Sequence, residues 1–319
     1  MFRTCRFLVL TVLLFGFSVE TKAQQVALVT DVSGPVQVTR ATGGAAQAAT
    51  WGMQLNVGDR VATGAGARTS LLYSANNSLV SLAANANLTI AAGAPAGASA
   101  SRTVGAPRIA AVSDLTLHRA GEGEVAALGG LRAVEAPRSI TTLTPRQTRI
   151  LQGAPSFAWM SAAEFESYTV RVFDANGREV WSGATNGSRL EYPANAPKLA
   201  AGTRYLWKVE GEDLLETVAS ELTPFDVLGE DDQRVASEGL ASIKASFESD
   251  ADATSRDYVL GAFYADLGLY SDAVASFSRI AQRHPDAALV HEILGKLYYD
   301  LGLKDEAILA LQRALEARD

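Results

Sequence analysis

Three histidines and one cysteine are the side chains from which nucleophilic or metal chemistry would most readily be built. His118 stands alone among polar neighbours, which reads as a solvated surface imidazole rather than a metal ligand. His284 and His291 are seven residues apart, but Pro285 between them argues against a shared helical face. A lone Cys5 excludes a disulfide framework and any multi-cysteine zinc site. Carboxylate pairs such as Glu212-Asp213 and Asp231-Asp232 sit in polar stretches, where nothing would shift their proton affinities toward acid–base work. The chain has no Gly-rich loop ending in Lys-Ser or Lys-Thr, no His-Glu-x-x-His and no nucleophile elbow. The expectation is a non-catalytic protein with no cofactor and no metal.

Recognition is then the chemistry left to find, and composition narrows it. The 319 residues are 48% hydrophobic and 20% charged, with a net charge of −7. That hydrophobic fraction supports two or three folded domains at roughly 100–200 residues each. The acidity argues against nucleic acid as partner.

The first 23 residues read as an address. Arg3 and Arg6 precede an apolar run from Phe7 to Phe17, followed by a polar stretch ending at Ala23. This is the layout of a cleaved secretory signal. The run is shorter than the roughly 20 residues a membrane span needs, and an uncleaved anchor is the rival reading. Cleavage would remove Cys5 and a net charge of +2, leaving a thiol-free chain of −9. The residual charge is uneven: residues 24–110 are net +3, whereas residues 229–319 are net −8. Texture changes at similar points, so three modules are expected: 24–103, 145–228 and 231–319. Residues 109–143 stay open as an extension of the first.

Module one reads as short strands. Val26–Val29, Val36–Val38, Ser70–Tyr73, Leu79–Leu82 and Leu88–Ile90 are separated by turn signals such as Ser33-Gly34-Pro35 and Asn76-Asn77-Ser78. Leu55, Val57 and Val61 are expected to face inward. Gly58-Asp59 reads as a tight turn, and Gly58, Asp59 and Thr63 as structural rather than ligand-binding. The run G-x-x-L-x-x-G-D-x-V-x-T-G at 52–64, with G-x-V-x-V at 34–38 and the stretch 77–90, resembles the FecR-type periplasmic domain. The resemblance covers about 65 residues and implies a β-rich envelope module that contacts other proteins or surfaces. Founding members carry a transmembrane helix and a cytoplasmic anti-sigma segment that this chain does not show, so their signalling role does not carry over. Asn76, Asn87 and Asn186 match a glycosylation pattern that matters only in a host with that machinery.

The small-residue stretch 91–101 reads as a linker. Module two then alternates. Phe157 and Trp159 share a face, as do Tyr168, Val170 and Val172, while Asn176-Gly177 marks a hairpin. The pattern P-x-F-x-W, Y-x-V-x-V-x-D-x-x-G, L-x-x-G-x-x-Y-x-W-x-V resembles fibronectin type III-like, immunoglobulin-like sandwiches of envelope proteins. Trp159 and Trp207 are expected in its core rather than on a carbohydrate platform.

Module three carries an internal repeat of 34 residues. Gly261, Tyr264, Asp266-Leu267-Gly268-Leu269 and Ala273 recur as Gly295, Tyr298, Asp300-Leu301-Gly302-Leu303 and Ala307. This spacing predicts helices over about 255–267, 271–283, 287–300 and 304–317, in two repeats spanning 255–286 and 289–319. A further helix is expected between Asp232 and Phe247, with Val235, Leu240, Ile243 and Phe247 on its apolar stripe. The pattern resembles the tetratricopeptide repeat. The resemblance implies an α–α solenoid whose first helices line a peptide-binding inner face. The matching positions are Tyr258, Ala262, Ala265 and Asp266, then Glu292, Lys296, Tyr299 and Asp300. Their acidic balance points to a basic or mixed peptide segment, although acids that merely solvate the array would look the same.

The overall expectation is a multi-domain chain, β then α, exported to the periplasm or exterior of a Gram-negative-type cell. It would act as a scaffold or adaptor for other envelope proteins. The alternatives are peptidoglycan or polysaccharide binding by the β modules, and a FecR-type signal regulator.

Overall fold

A computed structural model of the chain describes residues 25–74, 78–93, 101–103, 138–214, 216–247 and 253–318. The leader (1–23), the Asn76-Asn77 turn, most of the linker, and the segment with His118 and Leu131–Val134 lie outside the described residues.

The first β unit is built from two facing sheets. One has the order β4 (Gln54–Asn56), β1 (Gln25–Ser33), β6 (Arg68–Tyr73), β7 (Ser78–Leu82) and β9 (Ser101–Thr103). The other runs β3 (Gln47–Ala48), β2 (Val36–Thr39), β5 (Arg60–Thr63) and β8 (Asn87–Thr89). Ala27, Val29, Val38, Leu55, Val61, Leu71 and Val80 fill the space between them. Val57 does not join them and is exposed. Strand β4 stops at Asn56, so Val57 falls in the turn, where period-two alternation no longer decides which way a side chain faces.

Asp59 explains why that turn holds its shape. Its buried carboxylate accepts hydrogen bonds from the Ala41 amide (2.9 Å), the Asn56 amide (3.0 Å) and Arg40 Nη1 (2.8 Å). Gly58 supplies the positive φ of 90° that the turn requires. Thr63 closes a neighbouring loop, donating to the Ala83 carbonyl (2.5 Å) and accepting from the Ala86 amide (2.8 Å).

The second β unit is a sandwich. Strands β10 (Ile140–Thr144), β12 (Ser156–Ser161) and β15 (Arg189–Glu191) form the smaller sheet. The larger holds β11 (Thr148–Ile150), β18 (Thr223–Val227), β16 (Arg204–Glu212), β13 (Ser167–Asp174) and β14 (Glu179–Thr185), with β17 (Thr217–Ala219) on β16. Phe157 and Trp159 meet Val170, Val172, Trp207, Val209 and Phe225 in its core, as alternation requires. Asn176-Gly177 turns β13 into β14, with Gly177 at φ 78°.

Five helices follow: α1 (Glu230–Ser246), α2 (Ala253–Asp266), α3 (Tyr270–Arg283), α4 (Ala288–Asp300) and α5 (Lys304–Glu316). The last four form two hairpins, α2–α3 and α4–α5, offset by the 34-residue period. An added Cβ on Gly261 would stand 2.7 Å from the Phe277 ring, and one on Gly295 would stand 2.7 Å from Leu311. These glycines therefore set how closely the helices of each hairpin approach. Helix α1 buries Ala236, Gly239 and Ile243, while Val235 is exposed. The helix turns by about 100° per residue, and the contact stripe lies one position beyond Val235 because Gly239 abuts the Phe263 ring of α2.

Candidate functional site

The helical array is docked against both β units, and those contacts decide which of its faces is open. Strand β1 is buried over five consecutive residues, Val26 to Thr30, so both of its sides are covered. On its outer side Leu28 pairs in register with Leu72, and Leu72 with Leu79. This row of three leucines shares one apolar cluster with Trp51, Tyr258, Val259, Ala262, Leu289 and Ile293. Residues Ser255, Tyr258, Val259 and Ala262 follow i, i+3, i+4, i+7 spacing, so a single stripe of α2 meets the sheet.

The polar groups at this junction are matched. The β1–β6 register slips between Val29 and Asp31, which makes Thr30 a bulge residue. Its carbonyl accepts from Trp51 Nε1 at 3.0 Å. Its hydroxyl accepts from Ser255 Oγ at 2.8 Å and donates to the Ser70 carbonyl at 3.2 Å. Trp51 stands edge-on to Tyr258 and stacks on His284, with centroids 5.9 Å apart in each case. Gly52, at φ 79°, brings the following backbone against Leu289, which an added Cβ would meet at 3.4 Å.

Two titrating groups register this enclosure. Burial raises the Tyr258 phenol far above its usual value. Its hydroxyl has no hydrogen-bond partner among the described residues. Burial likewise holds the His284 imidazole below its ordinary value, against the pull of Asp286 and Asp31 and with the help of Arg283.

The second sandwich grips the turns of the array. The Arg149 amide and the Thr148 hydroxyl donate to the Gly268 carbonyl at 2.9 and 3.1 Å. The Tyr270 amide donates to Thr148 Oγ1 at 2.8 Å, and Arg149 Nη1 reaches the Leu267 carbonyl at 3.2 Å. Arg146 Nε donates to the Leu301 carbonyl at 2.9 Å. Two arginines three residues apart thus address the equivalent turns of the two hairpins. Carbonyls at helix C-termini carry partial negative charge, which suits a guanidinium.

These contacts sort the expected inner-face residues. Tyr258 is 1% exposed and lies under Trp51, so it is closed to a partner. Ala262 is covered with it, and Asp266 is exposed at the end of α2. On α4, Glu292, Lys296, Tyr299 and Asp300 fall on one stripe. Lys296 pairs with Asp300 at 3.0 Å, Glu292 pairs with Arg318, and Tyr299 is 63% exposed. A cleft of about 410 Å³ opens beside the start of α4, lined by Arg40, Gln54, Asn56, Asp286, Leu289 and Ala317 among others.

Sequence reasoning missed Trp51, Thr30 and Ser255. A signal was present: Val26–Val29, Leu71–Tyr73 and Leu79–Val80 are continuous apolar runs without polar alternation, which marks strands covered on both faces. Arg146 and Arg149 left no such trace, since the turn carbonyls they reach lie more than 110 residues away, and their other partners, Thr142 and Asp232, carry no signal of that contact.

No family model matches the chain, and no curated protein matches it. Among solved structures, a "Cell surface anchoring domain" is 16% identical over 21% of this chain and 87% of its own, with a TM-score of 0.20. The fibronectin type III domain of human collagen alpha-1(XX) chain is 15% identical over 31% of this chain and 87% of its own, at 0.22. A two-domain fibronectin type III segment of chicken tenascin is 12% identical over 64% of this chain and 93% of its own, at 0.20.

Proposed function

We propose that this chain is an exported, non-catalytic envelope scaffold that presents the second helical hairpin to a partner protein. The observation that carries this reading is the unequal treatment of the two hairpins. The inner stripe of α2 is filled by the first β unit, whereas Glu292, Lys296, Tyr299 and Asp300 form an α4 stripe that ends in an exposed aromatic. Tyrosine is a residue type that protein interfaces favour at their energetic centres, and charged groups such as Lys296 and Asp300 suit the polar rim around it. The FecR and tetratricopeptide resemblances support the same reading, as does the leader-like start. The mixed charge of the stripe suits a basic or mixed peptide segment.

Crosslinking and pull-down of the full chain from the envelope tests this. Point variants are the right comparison, because deleting the helices would strip the Leu28–Leu72–Leu79 row bare. Tyr299→Ala, and neutralisation of Asp266, Glu292 and Asp300 together, should each lose the partner that the unaltered chain captures. Unchanged capture by both would overturn the assignment.

A further inference from the structure

The cleft beside the start of α4 holds charges of both signs that the fold does not use up. Its volume of about 410 Å³ lies in the range of small-molecule sites. One wall is the first β unit, with Arg40 just after β2 and Gln54 and Asn56 on β4. The other is the α3–α4 corner, with Asp286 and Leu289.

Arg40 is fixed in place but only partly engaged. Its Nη1 donates to the Gln54 carbonyl at 2.8 Å and to the buried Asp59 carboxylate at 2.8 Å. Those two bonds set the plane of the guanidinium. Its Nε and Nη2 make no hydrogen bond among the described residues, and that edge can take a carboxylate through two parallel bonds. A fork already held still loses little rotamer freedom on binding.

Asp286 is left over on the facing wall. It makes no ion pair among the described residues, so Arg40 and Asp286 share the cleft without pairing with each other. Arg283, at the end of α3, is committed to Asp257 at 2.6 Å. His284 feels the Asp286 charge, but burial keeps its imidazole below the ordinary value, so it brings no positive charge at neutral pH. Either group alone would say nothing. Together they ask for a ligand with a negative group at one end and a positive group at the other. The side-chain amides of Gln54 and Asn56 also make no hydrogen bond among the described residues, and they can donate to and accept from peptide groups between those ends.

We infer that this cleft binds a short zwitterionic peptide, with its carboxylate on Arg40 and its terminal ammonium at Asp286. The α4 stripe of Glu292, Lys296 and Tyr299 takes no part, so this site and the partner-binding stripe can each fail without the other.

Calorimetric titration of the full chain with trialanine tests this. Saturable one-to-one binding is expected. Trialanine amide and N-acetyl-trialanine should each bind at least about tenfold more weakly, since each lacks one charge-assisted contact. Asp286→Asn should weaken trialanine by a similar factor and leave N-acetyl-trialanine unchanged, because the blocked peptide has already lost the ammonium. That side chain is exposed and without a partner among the described residues, so an unaltered thermal melt is expected of the variant. Substituting Arg40 would also disturb Asp59, so its contact is read through the amidated ligand instead. No saturable binding in the millimolar range, or equal affinity for a peptide blocked at both ends, overturns the inference. A loss on Asp286→Asn that is the same for N-acetyl-trialanine overturns the placement of the ammonium. Free alanine binding as tightly as trialanine overturns the assignment to a peptide.

Discussion

Replacing Trp51 with alanine should uncouple the first β unit from the helical array. The indole is buried, stacks on His284, meets Tyr258 edge-on and donates to the Thr30 carbonyl. A buried tryptophan removes about 150–250 Å² from water, and at about 25 cal/mol per Å² that is about 4–6 kcal/mol. An unfolded chain already hides part of that area, so the cost should settle at about 3–5 kcal/mol, the usual range for Trp→Ala in a core. The lost hydrogen bond adds little, because Ser255 Oγ still lies 3.4 Å from the Thr30 carbonyl. What distinguishes the reasoning is where the cost falls. Trp51 belongs to a loop between β3 and β4, yet its ring contacts are with α2 and the end of α3, and its N–H reaches β1. Amide hydrogen exchange read by mass spectrometry should therefore show faster opening in both β1 and α2. A change of about 3–5 kcal/mol in opening free energy accelerates exchange by at least about a hundredfold. Strands β13 and β16 of the second sandwich should keep their protection and serve as the internal control. If β1 opens faster while α2 is unmoved, the two units are not one cooperative body, and the account of a shared core fails.

Two further expectations follow from single groups. Tyr258→Phe deletes a hydroxyl that is buried without a partner, so it should stabilise the chain by about 1 kcal/mol in a thermal melt. A loss of stability of that size would show the hydroxyl to be satisfied. Asp59 is the pH-sensitive case. Burial alone would raise its proton affinity, but the Asn56 and Ala41 amides and Arg40 outweigh that and hold it below the ordinary value. Its contribution is therefore fully present above about pH 4 and is lost as pH falls through the folded value. Asp59→Asn should cost about 1–2 kcal/mol near neutrality and flatten the acid limb of the urea-midpoint profile. Identical slopes for the variant and the unaltered chain would refute the assignment.

How much could be read in advance depended on whether the signal was periodic. Tyr168-x-Val170-x-Val172 alternates, and those side chains do enter one core. The Gly261/Gly295 and Gly268/Gly302 spacings place each of the four paired helices within two residues of its expected span. Period fails where an element ends, as at Val57, or where a contact is set by something other than hydrophobicity, as at Gly239, whose lack of a Cβ moves the α1 stripe off Val235. It also says nothing about contacts between elements far apart in the chain. The 34-residue pattern assigns Tyr258 to an inner face, but only the leucine row of β1, β6 and β7 reveals that this face is already filled.

That filling answers a problem the repeat count poses. Stacked helical hairpins bury their faces only against neighbours, and the described residues hold two hairpins of the 34-residue period. Other parts of the chain cover these two hairpins on three sides. Helix α1 closes the leading side of the array, with Gly239 against Phe263. The Leu28–Leu72–Leu79 row and Trp51 close the inner side. The Arg146–Arg149 segment closes the turns, and it does so tightly. A Cβ on Gly268 would stand 2.9 Å from Arg149 Cδ, and one on Gly302 would stand 2.9 Å from Gln147 Nε2. Both glycines also hold positive φ, at 74° and 71°, which a side chain would strain independently of the space. The β units thus serve as the structural neighbours that a longer array would draw from its own repeats.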